Sequence, residues 1–144
     1  MRVLVDTSAW VDFPNGRPSP AAAALTALLE GDADLCTCGV VVAEVHQGLR
    51  EPRSRARIES LFRALTWLEP RGIDTYLRAA EPYRSLRAKG KTIRSTIDCL
   101  IAVLAEGERC YLLARDRDIE MIVESGLAAT TLWQQARLES DAPD

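Results

Sequence analysis

The stretch RVLVD, residues 2–6, sets three large apolar residues directly before a carboxylate. An apolar run without polar alternation is typical of a strand covered on both faces, as in a parallel sheet. Asp6 is therefore predicted to end a buried strand. In open α/β sheets, ligands bind beyond the carboxyl ends of the strands. The position of Asp6 indicates a functional site at this edge of the sheet.

Four further short apolar runs predict strands, and segments with helical spacing separate them. They are DLCTC at 34–38, TWLEP at 66–70, CYLLA at 110–114 and AATTLW at 128–133. Strands that alternate with helices favour an α/β sandwich around a mostly parallel sheet. In a doubly wound sheet the chain returns to the middle after building one half, so the first and fourth strands can be neighbours.

Capping residues mark the predicted helices. Ser19 is expected to cap the first long helix, Asp74 to cap a later one, and Pro82 to kink that later helix. Ser95 or Thr96 starts the segment IDCLIAVLAEGE, which is apolar on nearly every side. This last helix is therefore expected to be central.

Length and composition indicate one globular domain. Of the 144 residues, 47% are hydrophobic and 27% are charged, as in folded soluble proteins. We assign 1–138 to the domain and 139–144 to a polar tail. No apolar run reaches the roughly 20 residues of a membrane span, and no signal-peptide pattern is visible, so we expect a cytoplasmic protein. The net charge of −3 means that nucleic-acid contact must come from local basic clusters.

The cysteines and the histidine do not form a zinc pattern. The residues are Cys36, Cys38, Cys99, Cys110 and His46. A structural zinc site uses paired Cys or His ligands at closer spacing. We interpret the cysteines as buried reduced thiols and the histidine as a structural or exposed residue.

Four acidic residues are predicted to meet at one edge of the sheet. Asp6 and Asp116 follow the first and fourth strands. Asp98 lies in the first turn of the apolar helix, and Glu44 interrupts the apolar segment VVVAEVHQG. Like charges at close range raise one another's pKa, and desolvation raises it further. One or two divalent cations would relieve the repulsion, and oxygen ligands suit Mg²⁺ or Mn²⁺ better than zinc.

A purely structural role is the alternative for each carboxylate. Asp6 could cap a helix that starts at TSAW, and Asp98 could pair with Ser95 in a capping box. Glu44 is harder to explain in this way, because an unpaired Glu in a largely buried helix is rare. The joint placement of the carboxylates favours the functional interpretation.

Four segments carry a resemblance to a known family. They are VLVDTSAWVDF at 3–13, VVVAEVHQGLR at 40–50, GKTIRSTIDCLIAVLA at 90–105 and YLLARDRDIEMI at 111–122. In this order and spacing they resemble the PIN domains and, more narrowly, the VapC-type ribonuclease toxins of bacterial toxin–antitoxin pairs. The resemblance covers roughly residues 2–133.

This resemblance implies a fold, an activity and partners. The fold would be a three-layer α/β/α sandwich with a five-stranded, mostly parallel sheet. The activity would be Mg²⁺- or Mn²⁺-dependent cleavage of RNA. The partners would be a VapB-like antitoxin that covers the site and a second copy of the chain in a homodimer. Apolar surface for that dimer could come from Trp10, Phe13 or the helix at 53–65.

The resemblance also implies a set of site residues. Those that match the family's acidic site are Asp6, Glu44, Asp98 and Asp116. By this match, the three aspartates are metal ligands, and Glu44 acts through a water or orients the attacking water. Asp118 matches an additional acidic position, and Ser8 matches a hydroxyl position near the metal.

Local basic clusters are candidates for RNA contact. Lys89, Lys91 and Arg94 precede the apolar helix, and Arg115 follows the fourth strand. We expect these side chains to contact phosphates, with solvated helix surface as the alternative. The arginine cluster at 50–57 is interpreted as surface or partner contact. The aromatic residues form no interleaved stacking platform, so the RNA target is not predicted.

Other protein classes make different demands on the same positions. A haloacid-dehalogenase-like phosphotransferase also has Asp at the end of its first strand, but it needs a second Asp where Ser8 stands. A Rossmann cofactor-binding domain needs a glycine-rich loop, and VDTSAW contains no glycine. A catalytically degenerate PIN-like module that binds RNA or protein would have lost an acidic residue, and none of the four is missing.

Overall fold

The computed structural model describes residues 1–134 and 137, and its centre is a parallel sheet. Within these residues the strands are β1 (Arg2–Val5), β2 (Asp34–Cys38), β3 (Thr66–Leu68) and β4 (Tyr111–Leu113), in the order β3-β2-β1-β4. Val3 of β1 lies opposite Leu35 of β2 on one side and Tyr111 of β4 on the other. The first and fourth predicted strands are therefore neighbours.

Helices connect the strands. They are α1 (Thr7–Trp10), α2 (Pro20–Glu30), α3 (Gly39–Gln47), α4 (Pro52–Ala64), α5 (Gly72–Ala88), α6 (Thr96–Gly107) and α7 (Arg117–Glu124). The hydroxyls of Ser19 and Ser95 cap α2 and α6, as predicted. Helix α6 packs against α5 and α7 and is buried over residues 99–105. The predicted α/β class and the central position of α6 are confirmed.

The predicted fifth strand at 128–133 is reduced to a single bridge, which makes the described sheet four-stranded. Leu132 bridges Leu112, and the Leu112 N–H donates to the Thr131 carbonyl at 3.0 Å. Two donors of the 128–133 segment bind groups outside a ladder. The Ala129 N–H donates to Glu106 Oε1 at 2.8 Å, and the Thr130 hydroxyl donates to the Cys110 carbonyl at 2.7 Å. These contacts replace a ladder. The predicted tail at 139–144 lies outside the described residues.

Helix α5 begins earlier than predicted. Its N-cap is Arg71, and Asp74 lies in the first turn instead of at the cap. The Thr75 hydroxyl accepts a hydrogen bond from the Arg71 N–H at 2.7 Å. This bond satisfies a donor at the N-terminus of the helix, three residues before Asp74. Gly72 supplies the φ of +61° required at this start. Pro82 lies inside α5 and is buried, and the kink there stays a prediction.

Trp10 packs at the centre of an aromatic cluster. Its ring centroid lies 5.7 Å from that of Phe13 and 4.9 Å from that of Phe62. Because α1 turns its side chain inward, Trp10 is fully buried and cannot supply the dimer surface for which it was a candidate. Large apolar side chains are instead exposed along one side of α5, at Ile73, Tyr76 and Leu77.

All four cysteines are buried free thiols, which confirms their interpretation. Cys36 and Cys38 belong to β2, where every residue after the first is buried. Among the described residues, no helix combines the length and apolar character needed to cross a bilayer. His46 lies in the last turn of α3, and its side chain is partly exposed.

Trp10 and Trp67 give a matched test of the core. Trp10→Ala should lower the free energy of unfolding by about 3–5 kcal/mol, because it leaves a large cavity. Trp67→Ala should cost less than about 1 kcal/mol, because that side chain is 50% exposed at the sheet edge. Urea unfolding followed by circular dichroism measures both values, and equal losses would contradict the packing described here.

Candidate metal centre

Asp6 leaves the carboxyl end of β1 and caps α1. Its Oδ2 accepts hydrogen bonds from the Ser8 N–H, at 3.0 Å, and from the Ser8 hydroxyl. The Ser8 oxygen in turn accepts from the Arg115 N–H at 2.8 Å. Ser8 therefore ties the end of β1 to the loop that follows β4. The capping role considered for Asp6 is present, and it fixes the direction of a carboxylate that is only 3% exposed.

Asp116 and Asp98 approach the same edge from β4 and α6. Asp116 Oδ1 caps α7 by accepting from the N–H groups of Asp118, at 2.8 Å, and Ile119, at 3.1 Å. Asp98 lies in the first turn of α6. Oxygens of Asp98, Asp116 and Asp118 all lie within 4.8 Å of one another. We call these three carboxylates the aspartate trio.

Glu44 reaches this region from α3. Its Oε1 accepts a hydrogen bond from the Thr7 hydroxyl at 2.9 Å, so the residue next to Asp6 holds Glu44. Helix α3 is less buried than predicted, since only Val41 and Val45 are buried along it. Thr7 was not among the predicted site residues, although its position between Asp6 and Ser8 was an available signal.

The carboxylates share one electrostatic field. Burial raises the pKa of Asp98 to about 7, and nearby negative charges add to the effect. Those charges belong to Asp116, Asp6, Asp118 and Glu44. Burial also raises the pKa of Asp6, although its hydrogen bonds from Ser8 oppose the rise. The structure thus brings all five acidic candidates close enough to interact, with Asp6 and Glu44 outside the tight trio.

The aspartate trio has the chemistry of a site for a hard divalent cation. Each member offers a carboxylate oxygen, the donor that Mg²⁺ and Mn²⁺ prefer. The trio's oxygens lie within 4.8 Å of one another, so modest side-chain movements would bring them to the separations of at most about 4.2 Å that ligands of one Mg²⁺ have. Burial is the main cause of the raised pKa of Asp98 and the neighbouring carboxylates add to it, so a cation at the centre would offset an electrostatic cost. The residues present therefore fit such an ion.

Basic side chains lie beside the trio. Arg94 Nε donates to Asp118 Oδ2 at 3.0 Å, so a residue expected on RNA contacts the acidic cluster itself. Lys91, Arg94 and Arg117 line an open cleft of about 440 Å³ that also includes Asp118. Lys89 and Arg115 are exposed. The acidic centre is thus bordered by positive charge.

The raised pKa of Asp98 predicts a pH-dependent stability. In the unfolded chain Asp98 ionises near pH ~4, whereas its folded pKa is about 7. Between these values the folded protein keeps a proton that the unfolded chain has lost, so the free energy of unfolding falls as pH rises. In EDTA, the Asp98→Asn variant should have the same free energy of unfolding as the wild type at pH 4. At pH 8 its free energy of unfolding should be higher by about 1–2 kcal/mol, a value reduced for solvent screening.

Thermal unfolding at the two pH values measures this difference. Asp74→Asn is the matched control, because Asp74 is exposed in the first turn of α5. Because the Asp74 charge is favourable at the N-terminus of α5, its loss should lower the stability at pH 8 by less than about 1 kcal/mol, which is the opposite sign. An Asp98→Asn protein that gains no stability at pH 8 would contradict the electrostatic description of the centre.

Comparisons with known proteins identify the family of this chain. Residues 3–124 match the sequence model of the PIN domain family. Ribonuclease VapC11 of Mycobacterium tuberculosis is 34% identical over 121 residues, which cover 83% of this chain and 90% of that protein. The family match spans the positions of Asp6, Glu44, Asp98 and Asp116.

Solved structures with low sequence identity share the fold. VapBC-1 from nontypeable Haemophilus influenzae aligns with a TM-score of 0.68 and 20% identity, covering 93% of this chain and 99% of that one. A toxin–antitoxin complex from Klebsiella pneumoniae aligns with a TM-score of 0.58 and 20% identity, covering 82% and 89%. These likenesses show the fold, and the sequence matches show that the chain belongs to the PIN domain family, among the VapC ribonucleases.

Proposed function

We propose that this chain is a Mg²⁺- or Mn²⁺-dependent endoribonuclease that acts as the toxin of a toxin–antitoxin pair. The observation that carries the proposal is the aspartate trio, whose oxygens lie within 4.8 Å of one another at the carboxyl edge of the sheet. The 34% identity to ribonuclease VapC11 supports RNA as the substrate. A phosphodiester backbone is also the substrate that a hard cation and a basic border would suit.

The proposed ligands are the aspartates of the centre. Asp98 and Asp116 would hold the cation directly, with Asp6 as a direct or water-mediated ligand and Asp118 as an additional one. A divalent cation bound there would lower the pKa of a coordinated water and stabilise negative charge on the phosphoryl oxygens. Ser8 fixes the orientation of Asp6 through two hydrogen bonds.

Glu44 is proposed to bind the centre through water or to orient the attacking water. Its second oxygen is left for this task, because the first accepts the hydrogen bond from Thr7 at 2.9 Å. Thr7 therefore acts as a positioning residue. Held in this way, Glu44 loses less rotational freedom when the substrate binds.

The RNA backbone is proposed to follow the basic border of the centre. Lys91 lines the cleft beside Asp118. Lys89, two residues before Lys91, and Arg115, directly before Asp116, are both exposed. Positive side chains at this border would offset the repulsion between phosphates and the acidic cluster. Arg94 would join them only after leaving its present carboxylate partners.

The proposed partner in the cytoplasm is a VapB-like antitoxin. A cluster of carboxylates attracts a basic side chain, and a charge-assisted hydrogen bond to it would be strong. The similarity to a solved toxin–antitoxin complex supports this partner class. Four buried free thiols agree with a reducing compartment.

A homodimer is also proposed, through a surface on α5 that was not among the three candidates Trp10, Phe13 and the helix at 53–65. Ile73, Tyr76 and Leu77 are 71%, 55% and 59% exposed. Their spacing places them together on α5, since positions three and four apart share a helix face. Burial of this face against a second copy would remove it from water.

Metal dependence gives the direct functional test. EDTA should abolish cleavage of a single-stranded RNA mixture, and Mn²⁺ or Mg²⁺ should restore it. Asp116→Asn should lower the rate at least ~100-fold, because it removes a proposed ligand. The matched control Asp74→Asn changes an exposed aspartate on α5 and should cleave at the wild-type rate. Metal-independent cleavage, or RNA binding without cleavage by the wild type, would overturn the proposal, and the latter would favour a binding module.

Salt dependence tests the proposed RNA path. The double variant Lys89→Glu/Lys91→Glu should bind RNA more weakly. The slope of log affinity against log salt concentration should become shallower by at least ~1.4, the value for two lost phosphate contacts on a single strand. The matched control Arg53→Glu/Arg55→Glu makes the same charge change on exposed positions of α4. If both double variants change the slope equally, the effect is one of net charge, and the 89–91 segment is not a specific phosphate contact.

A further inference from the structure

Arg94 lies in the loop between α5 and α6 and reaches into the acidic cluster. Its Nε donates to Asp118 Oδ2 at 3.0 Å, and its backbone N–H donates to the same oxygen at 3.2 Å. Its Nη2 lies 3.8 Å from Asp116 Oδ2. Arg94 therefore contacts two members of the aspartate trio.

Arg94 lies against carboxylate oxygens that could also bind a cation. Asp116 Oδ1 already caps α7 through the N–H groups of Asp118 and Ile119. The oxygen of Asp116 left for a cation is therefore Oδ2, which Arg94 approaches. On Asp118, Oδ2 accepts both hydrogen bonds from Arg94.

The two members of the ion pair differ in freedom to move. The Asp118 side chain is 7% exposed, whereas that of Arg94 is 73% exposed. A buried carboxylate needs a compensating charge, but an exposed arginine can change its rotamer with little loss of packing. When a second positive charge arrives, the guanidinium is the part that can leave.

We propose that Arg94 is an internal counter-ion of the aspartate trio, and that a divalent cation competes with it for Asp116 and Asp118. This inference rests on the metal-dependent function proposed above. Before the cation binds, Arg94 compensates the buried Asp118. After binding, its guanidinium turns away from the carboxylates within the cleft that it lines with Lys91 and Arg117, where a substrate phosphate can accept its hydrogen bonds.

The first test follows the side chain directly. In ¹⁵N-correlated spectra of the full chain, the Arg94 Nε–Hε signal is assigned by its absence in Arg94→Lys and followed during a Mg²⁺ titration. Competition predicts that this signal shifts and exchanges faster with water, with the same midpoint as the backbone amides of Asp116 and Asp118. A signal that stays unchanged at Mg²⁺ saturation would overturn the inference, because Arg94 would then remain paired in the loaded centre.

The second test measures Mn²⁺ affinity by electron paramagnetic resonance. Arg94→Gln removes the competitor and should bind Mn²⁺ at least about fivefold more tightly than the wild type. The matched control Arg115→Gln removes one positive charge from an exposed neighbour of Asp116 and should change affinity less than about twofold. Equal effects of the two variants, or weaker binding by Arg94→Gln, would overturn competition.

The tests separate this inference from the function on which it rests. If neither Mg²⁺ nor Mn²⁺ binds the wild type or Arg94→Gln, the metal-dependent function itself is wrong, and the inference is lost with it. If the ions bind but Arg94 does not move, only the role of Arg94 is wrong.

Discussion

Mutual repulsion among carboxylates is the constraint on which the rest of this structure depends. Burial raises the pKa of Asp98 to about 7, and the negative charge of four other acidic residues adds to the rise. The fold opposes this cost with specific donors. Ser8 binds Asp6, Thr7 binds Glu44 and Arg94 binds Asp118, while the first amides of α7 bind Asp116. A divalent cation would supply the compensation that these contacts leave incomplete.

The sheet topology explains why distant residues meet. Because β1 lies between β2 and β4, the carboxyl ends of β1 and β4 are neighbours. The hydrogen bond from the Arg115 N–H to the Ser8 hydroxyl, at 2.8 Å, joins the segments that follow these two strands. Helix α6 is buried over most of its length, so the position of Asp98 in its first turn is set by core packing. The arrangement therefore persists only while the core is intact, which couples the site to the stability of the whole domain.

The sequence supported the sheet and the acidic residues because their signals are strong and local. An uninterrupted apolar run before Asp6 predicts a buried strand end, and Glu44 stands out as a charge in an apolar segment. Arg94 could not be assigned from sequence, because a basic residue in a loop has the same pattern whether it contacts phosphate or carboxylate. The prediction of a fifth strand was wrong for a different reason. Its β-forming residues were visible, but the hydrogen bonds of Ala129 and Thr130 to groups outside a ladder were not.

The central claim is that acidic side chains from separate elements hold a cation between them. Anomalous diffraction from a crystal of the chain soaked in Mn²⁺ would test it most directly. The account predicts an anomalous peak within about 2.2 Å of oxygens from at least two members of the aspartate trio, and its loss in Asp98→Asn crystals soaked in the same way. A well-ordered centre without a peak at high Mn²⁺ concentration, or a peak held by other residues, would contradict the account.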